Sequence, residues 1–187
     1  RKNGLQPVDN PSEIFISQRR RISAGSAIIS CMEGTRALLV EIQALVTRAN
    51  FGMPERKVSG VDYNRVSMIL AILEKRIGLK LGGQDIFVNI VGGVQVDEPA
   101  ADLGIAMTIA SSFKEKAISP DTIFIGEVGL GGEVRSVNQI EIRLKEAQRL
   151  GFKKAVIPKD NSKGMGKDFG IELIEVCYLS ESVEIIG

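Results

Sequence analysis

The chain is 187 residues long, 44% hydrophobic and 25% charged, with a formal net charge of +1. This is the balance of a globular protein with room for one core, and it excludes a strong bulk attraction to nucleic acid, so any such contact has to come from a local patch. Histidine is absent, which excludes His-dependent catalytic triads and His-ligated metal sites within the chain.

The chain opens on Arg1 rather than Met, as a piece of a longer protein would. Residues 1–13 are polar, with Pro7 and Pro11, and read as a linker into a domain covering 14–187. Strand character follows at 13–17 and 26–32, with Arg19, Arg20 and Arg21 in the connection between them. A longer β-rich run, ALLVEIQALV, covers 37–46, and 48–60 reads as a loop on account of Gly52, Pro54 and Gly60.

Asp62 is placed to cap a helix reaching residue 77, whose Val66, Ile69, Leu70, Leu73 and Ile77 recur at helical spacing. The run DIFVNIV at 85–91 is the next strand, broken by Gly92 and Gly93, and Pro99 suits the first turn of a second helix reaching residue 113. A strand at 122–126 leads into GEVGLGGEVRS, a glycine-rich turn between two short strands. Asn138 opens a third helix as cap, with Glu141 completing a capping-box variant and Gly151 ending it. Strands at 154–157 and 170–176 and a short helix or strand at 180–186 close the chain. The order predicts α+β layers with helices packed on a mixed sheet.

Each candidate chemical site has a plain alternative. The glycines of 126–132 invite a phosphate-loop reading, but no Gly-Lys-Ser/Thr follows and the next element is a strand, so a hairpin turn is the better account. Asp97, Glu98 and Asp102 cluster at the start of the second helix, where acids compensate the helix dipole; as a metal site the cluster lacks a second ligand group. Cys31 and Cys177 stand alone, with neither a disulfide framework nor a zinc pattern, as suits a reducing cytoplasm. No apolar run is long enough to span a bilayer.

The segment DIFVNIVGGVQVDEPAADLGIAMTIAS resembles the part of the Lon protease domain that carries the catalytic serine, and IGEVGLGGEVRSVNQIEIRLKEAQRLGF resembles the part that carries the catalytic lysine. Aligning Gly104-Ile105 with the Ala-Gly-Ile run of that family puts Asp102 at the serine position; aligning Gly126-Glu127 puts Arg143 at the lysine position. A Ser–Lys dyad needs a hydroxyl nucleophile and a lysine able to sit neutral. Asp102 has no hydroxyl, and Arg143 cannot deprotonate in a protein. Ser111, Ser112 and Ser136 have no identifiable lysine partner in the matched motif. The resemblance thus implies a catalytically dead relative of Lon, with an Asp102–Arg143 ion pair expected where the dyad would be.

A closer resemblance covers more of the chain. GVDYNRVSMILAILEKRIGLKL, DIFVNIVGG, EPAADLGIA, GEVGLGGEVR and EAQRLGFKKAVIPK together resemble the C-terminal, Lon-like region of the bacterial RadA/Sms family of DNA-repair ATPases. That resemblance implies an α+β fold of the Lon proteolytic-domain type, related to the second domain of ribosomal protein S5. It also implies a scaffold role: oligomerisation, as a hexameric ring, and DNA engagement in recombinational repair, in the cytoplasm and away from any membrane. Partners would be further copies of the chain, DNA, and recombinase or other repair proteins. No cofactor is expected here, since ATP, Mg and Zn belong to a RecA-like core and a four-cysteine finger whose Walker A and paired C-x-x-C sequences this chain lacks. Arg19, Arg20, Arg21, Arg56, Lys57, Lys153 and Lys154 are the candidate DNA contacts, with Lys75-Arg76, Lys159, Lys163 and Lys167 as further basic positions; the alternative for all of them is solvated surface. Two rival readings stay open: an active Ser–Lys protease, and a module that binds protein partners without touching DNA.

Overall fold

The computed structural model describes residues 23–166 and 169–186. The linker, the strand at 13–17, Arg19–Arg21 and Lys167 lie outside them. The strands are β1 (Ser26–Glu33), β2 (Arg36–Arg48), β3 (Arg56–Ser59), β4 (Gln84–Ile90), β5 (Thr122–Phe124), β6 (Glu127–Val128), β7 (Val134–Arg135), β8 (Lys154–Pro158) and β9 (Glu172–Val176). The helices are α1 (Tyr63–Ile72), α2 (Asp102–Lys114), α3 (Ile140–Arg149), α4 (Lys159–Ser162) and α5 (Leu179–Glu184).

Seven strands form one mixed sheet in the order β3-β4-β2-β1-β5-β8-β9, and β6-β7 is a separate hairpin. β2 runs antiparallel to both of its neighbours; every other pairing in the large sheet is parallel. The period-2 alternation of the strands sends side chains to two cores. Ala27, Ile29, Val40, Ile42, Val88 and Phe124 face α1, α2 and α5, while Ile28, Leu39, Ile123 and Ile157 face Ile140, Leu144 and Ala147 of α3. The sheet is therefore covered on both faces, in keeping with the near-continuous apolar runs of its central strands. Helices packed on a mixed sheet, expected from the element order, are present.

α1 begins where the sequence places it: the Asp62 carboxylate accepts a hydrogen bond from the Asn64 N–H at 3.2 Å. Its last turn widens into a π-turn at Leu73–Ile77, ended by Gly78 in the left-handed region at φ 85°. The glycine-rich hairpin is also present, as β6 and β7.

Three local features differ from the sequence reading. The expected loop 48–60 contains β3, a short edge strand whose polar Arg-Lys-Val-Ser run carries no apolar pattern of its own; parallel pairing with β4 makes it a strand. α4, a single turn after Pro158, has no periodicity to read. The capping box at Asn138 does not form. Gln139, left-handed at φ 54°, precedes the helix; Asn138 turns its carbonyl groups to Arg143, and Glu141 accepts instead from the Gly166 N–H at 3.1 Å.

Candidate functional site

All strands of the large sheet except β2 start at one end, so the sheet has two chemically distinct ends. At the C-terminal end of β1 the chain brings together the start of α2, the β6-β7 hairpin and α3, the elements on which the resemblance to Lon rests. The 3₁₀ turn Pro99–Ala101 leads directly into α2. Leu103 N–H donates to the Gly126 carbonyl at 3.0 Å and Gly126 N–H to the Ala100 carbonyl at 3.0 Å, clamping the helix start to the hairpin.

Arg143 is 1% exposed and is among the largest fully buried side chains in the protein. Its Nη1 donates to Glu98 and, at 2.9 Å, to the Ser30 carbonyl of β1. Its Nε donates to the Asn138 carbonyl at 3.0 Å and its Nη2 to Asn138 Oδ1 at 2.9 Å. The second oxygen of Glu98 accepts from the Met32 N–H at 3.0 Å. One guanidinium thus ties α3 to β1 and to the approach to α2, with its charge balanced by Glu98.

Asp102, also 1% exposed, forms a separate pair. It accepts from Nε and, at 2.6 Å, from Nη2 of Arg65 on α1, and from the Val128 N–H of β6 at 3.1 Å. Burial pushes its carboxyl above the ordinary aspartate value, against the Arg65 fork and the Val128 N–H; in return the hydrogen-bonded carboxylate holds Arg65 more firmly protonated. The Asp102–Arg143 pair expected from the alignment is not made: each residue has a different partner. The carboxylate cluster does not converge either. Asp97 is exposed and accepts from Gln95, while Glu98 and Asp102 serve the two arginines. Among the described residues no three acidic or cysteine side chains come together as metal ligands would.

Two consequences are measurable. Asp102→Ala leaves Arg65 without its partner and should cost about 1–3 kcal/mol, as stranding a charged donor does. In a double-mutant cycle the coupling should appear with Arg65 and be near zero with Arg143. The pH dependence also has a definite sign. A carboxyl whose folded pKa lies above its unfolded value favours the folded state most below the ordinary value of 3.8, and that contribution is lost as pH rises through the folded pKa. Wild type should therefore lose stability relative to Asp102→Asn as pH is raised from the ordinary aspartate range. Urea midpoints at a series of pH values that moved in the opposite direction would contradict this.

Two cavities flank Glu98. One of about 290 Å³ is lined by Val61, Asp62, Arg65, Val96, Asp97, Glu98, Pro99, Ala101 and Ile105, with no hydroxyl, thiol or amine among them. The other, of about 250 Å³, includes Cys31. Burial, with Glu98 and Glu33 nearby, pushes the Cys31 thiol up to about 11, Arg143 opposing. Nucleophilic sulfur is thiolate, so Cys31 is inert at neutral pH. With a thiol reagent under native conditions only the exposed Cys177 should react quickly, and the buried Cys31 should follow only on unfolding; fast titration of both thiols would contradict this.

The serines considered beside the dyad are elsewhere. Ser111 Oγ accepts from the Gly25 N–H at 2.9 Å and Ser112 Oγ from the Val46 N–H at 2.9 Å, pinning the C-terminus of α2 to the opposite end of the sheet. Ser136 is exposed.

That opposite end gathers four of the basic candidates, Arg56, Lys57, Lys153 and Lys154, while Lys159 and Lys163 follow β8 at the other end. Arg48 ends β2 opposite Gln84, Arg56 and Lys57 begin β3, and Lys153 and Lys154 lead into β8. β3 and β8 are five strand steps apart, about 24 Å at about 4.8 Å each. Lys57 and Lys153 are exposed; Arg56 and Lys154 are half-buried. Glu55, Asp85 and Asp121 share this end, so the charge is mixed with a basic excess at its flanks. Of the further basic positions, Lys163 pairs with Asp160 at 3.4 Å. Arg65 and Arg48 were not singled out by the sequence reading. A buried aspartate opening an apolar helix calls for a cation, but only the packing of α1 on α2 identifies which.

Residues 42–161 match the sequence model of the family described as subunit ChlI of Mg-chelatase. The chain belongs to this family. It is 53% identical over 183 residues to DNA repair protein RadA of Bacillus subtilis, 49% over 185 residues to that of Halalkalibacterium halodurans, and 47% over 184 residues to that of Synechocystis. These alignments cover 98–99% of this chain but 36–40% of the relatives, so the chain spans about two fifths of their length. The resemblance to RadA read from the sequence motifs is borne out by these identities. The match to the ChlI family takes in both segments on which the Lon resemblance rests, including Asp102 and Arg143.

Proposed function

We propose that this chain is a non-proteolytic, Lon-like platform in a DNA-repair protein of the RadA type, engaging DNA through the basic end of its sheet and assembling as a hexameric ring. The observation that carries the reading is the convergence of Arg48, Arg56, Lys57, Lys153 and Lys154, distant in sequence, on one sheet end. A track of about 24 Å follows roughly seven base pairs at about 3.4 Å of rise. That these relatives are DNA repair proteins, RadA of Bacillus subtilis and of Halalkalibacterium halodurans, supports the repair context.

The absence of peptidase activity is part of the proposal. Its support is chemical: the aligned base position holds an arginine that cannot deprotonate, already occupied by Glu98, Ser30 and Asn138, and the aligned nucleophile position holds a carboxylate occupied by Arg65. On this reading the two ion pairs do structural work that the dyad elements do in a protease, and ATP, Mg and Zn act only in parts of a longer parent protein.

The test is a salt titration of duplex and single-stranded DNA binding. Affinity should be modest, indifferent to sequence, and fall steeply with salt. Replacing Lys153 and Lys154 together, or Arg56 and Lys57 together, should reduce the salt slope by about one unit for each phosphate no longer neutralised. Unchanged affinity and slope in both variants would reject the basic end as the DNA surface. Sedimentation should show a species well above the 20.2 kDa monomer; a monomer at all concentrations would reject assembly through this domain.

A further inference from the structure

The loop joining β2 to β3 carries two apolar side chains into solvent: Phe51 is 94% exposed and Met53 87%. Its feet are fixed. Ala49 N–H donates to the Gly83 carbonyl at 3.1 Å, and Glu55 N–H to Asp85 Oδ1 at 2.7 Å. Between Phe51 and Met53, Gly52 takes φ 66° with open space where a Cβ would lie, so the tip turns sharply and points both side chains outward. Exposure of a lone apolar residue is ordinary; a phenylalanine and a methionine both bare, two residues apart at a pinned tip, are not covered by that explanation.

The charges around the tip select the occupant. Arg48 precedes the loop, and Arg56 and Lys57 follow it, with the exposed Glu55 at the loop's far foot 4.0 Å from Lys57 Nζ, a surface pair that a phosphate can displace. Two apolar side chains are far too little for a protein interface, which needs about 800 Å² on each side. A flat ring between cations suits a base whose flanking phosphates reach those cations, and a base offers its face only when unpaired.

We infer that Phe51 is a stacking post for an unpaired base, with Met53 packing beside it and Arg48 and Lys57 taking the adjacent phosphates, so that the basic end prefers single-stranded DNA. The inference rests on the DNA reading proposed above. An aromatic content of 5% argues against an extended stacking surface, but one exposed ring is enough for one base.

The chain has no tryptophan, so Phe51→Trp places a single reporter at the tip. Adding an oligothymidylate should quench and shift its emission, and the matching duplex should not. Phe51→Ala should weaken single-strand binding by about fivefold or more, the scale of one base stack, with the salt slope unchanged. Lys57→Glu should instead change the slope. Indole emission of the Phe51→Trp variant unmoved by DNA, with Lys57→Glu still weakening binding, would overturn the stacking post and leave the DNA reading intact. A change of oligomeric state in Phe51→Ala without a change in DNA affinity would overturn it in favour of an interface between copies. No binding of either DNA form by the wild-type chain would overturn both.

Discussion

Arg143→Ala should be among the most destabilising single substitutions in this chain, costing about 3–5 kcal/mol, the usual penalty for removing one partner of a buried charge pair. The arginine is 1% exposed and meets Glu98, the Ser30 carbonyl and both oxygens of Asn138. Alanine leaves all of these without their donor and opens a void between α3 and β1. Glu98 alone would remain half-sheltered beside the Met32 N–H with no cation to offset it. Arg143→Lys should recover only part of the loss, because an ammonium cannot reproduce the planar fork that reaches Ser30, Glu98 and Asn138 at once. It restores a lysine at the aligned base position but no nucleophile at position 102, so no peptidase activity should appear with it. Arg143→Met combined with Glu98→Gln should be milder than Arg143→Ala, since no unpaired charge is left buried. Urea denaturation of the four proteins settles the order; an Arg143→Ala midpoint close to that of wild type would mean the network contributes little.

The contrast between Asp102 and Arg143 shows where sequence reading reaches its limit. Alignment located both residues and fixed what they cannot do, because side-chain chemistry is local: arginine stays protonated and aspartate has no hydroxyl. It paired them with each other because the family's dyad is paired. Pairing depends on tertiary placement, and here two additional residues, Arg65 on α1 and Glu98 before α2, take one partner each. Strands with strong apolar runs, β1, β2 and β4, and the periodic helix α1 were legible for the same local reason, and α2 through the proline that opens its first turn. β3 was not. Arg-Lys-Val-Ser has no alternation, and only β4 beside it supplies the pairing. The Asn138 cap failed through competition: its carbonyl groups satisfy the buried Arg143 instead of the first turn of α3.

The basic candidates illustrate the reverse case. Composition, with a net charge of +1, argues against a nucleic-acid surface. Sheet order changes that argument, because β3 and β8, nearly a hundred residues apart, begin at the same end of one sheet. The sequence holds the charges, but topology decides whether they add. The exposed Phe51 and Met53 were likewise invisible as a feature, since an apolar residue in a loop carries no sign of whether it is buried until the loop is folded.

Gly104→Ala should destabilise the chain by about 2–3 kcal/mol, although the change improves helix propensity by about 1 kcal/mol. Gly104 lies in the first turns of α2, where every residue from Asp102 to Ser112 is buried. A Cβ there would overlap Ile29 Cγ2 on β1 and approach Phe124 Cβ on β5 at 3.9 Å. Ile29 and Phe124 are both 0% exposed, so neither has free volume to move into. The helix would have to lift from the sheet, and it cannot do so cheaply, since Leu103 beside it is hydrogen-bonded to Gly126 and Asp102 is held by Arg65 and Val128. The strain should therefore spread to both ion pairs. A glycine with space around it provides the control: Gly83 has nothing within 4 Å of a built Cβ, and alanine there should be close to neutral. Ile29→Ala alone should cost about 2–5 kcal/mol as a core truncation. Combined with Gly104→Ala it should cost less than the sum, because the new methyl enters the space the isoleucine vacates. Strict additivity of the two would show that Ile29 is not what excludes a side chain at position 104, and that the close approach of α2 to β1 has another cause.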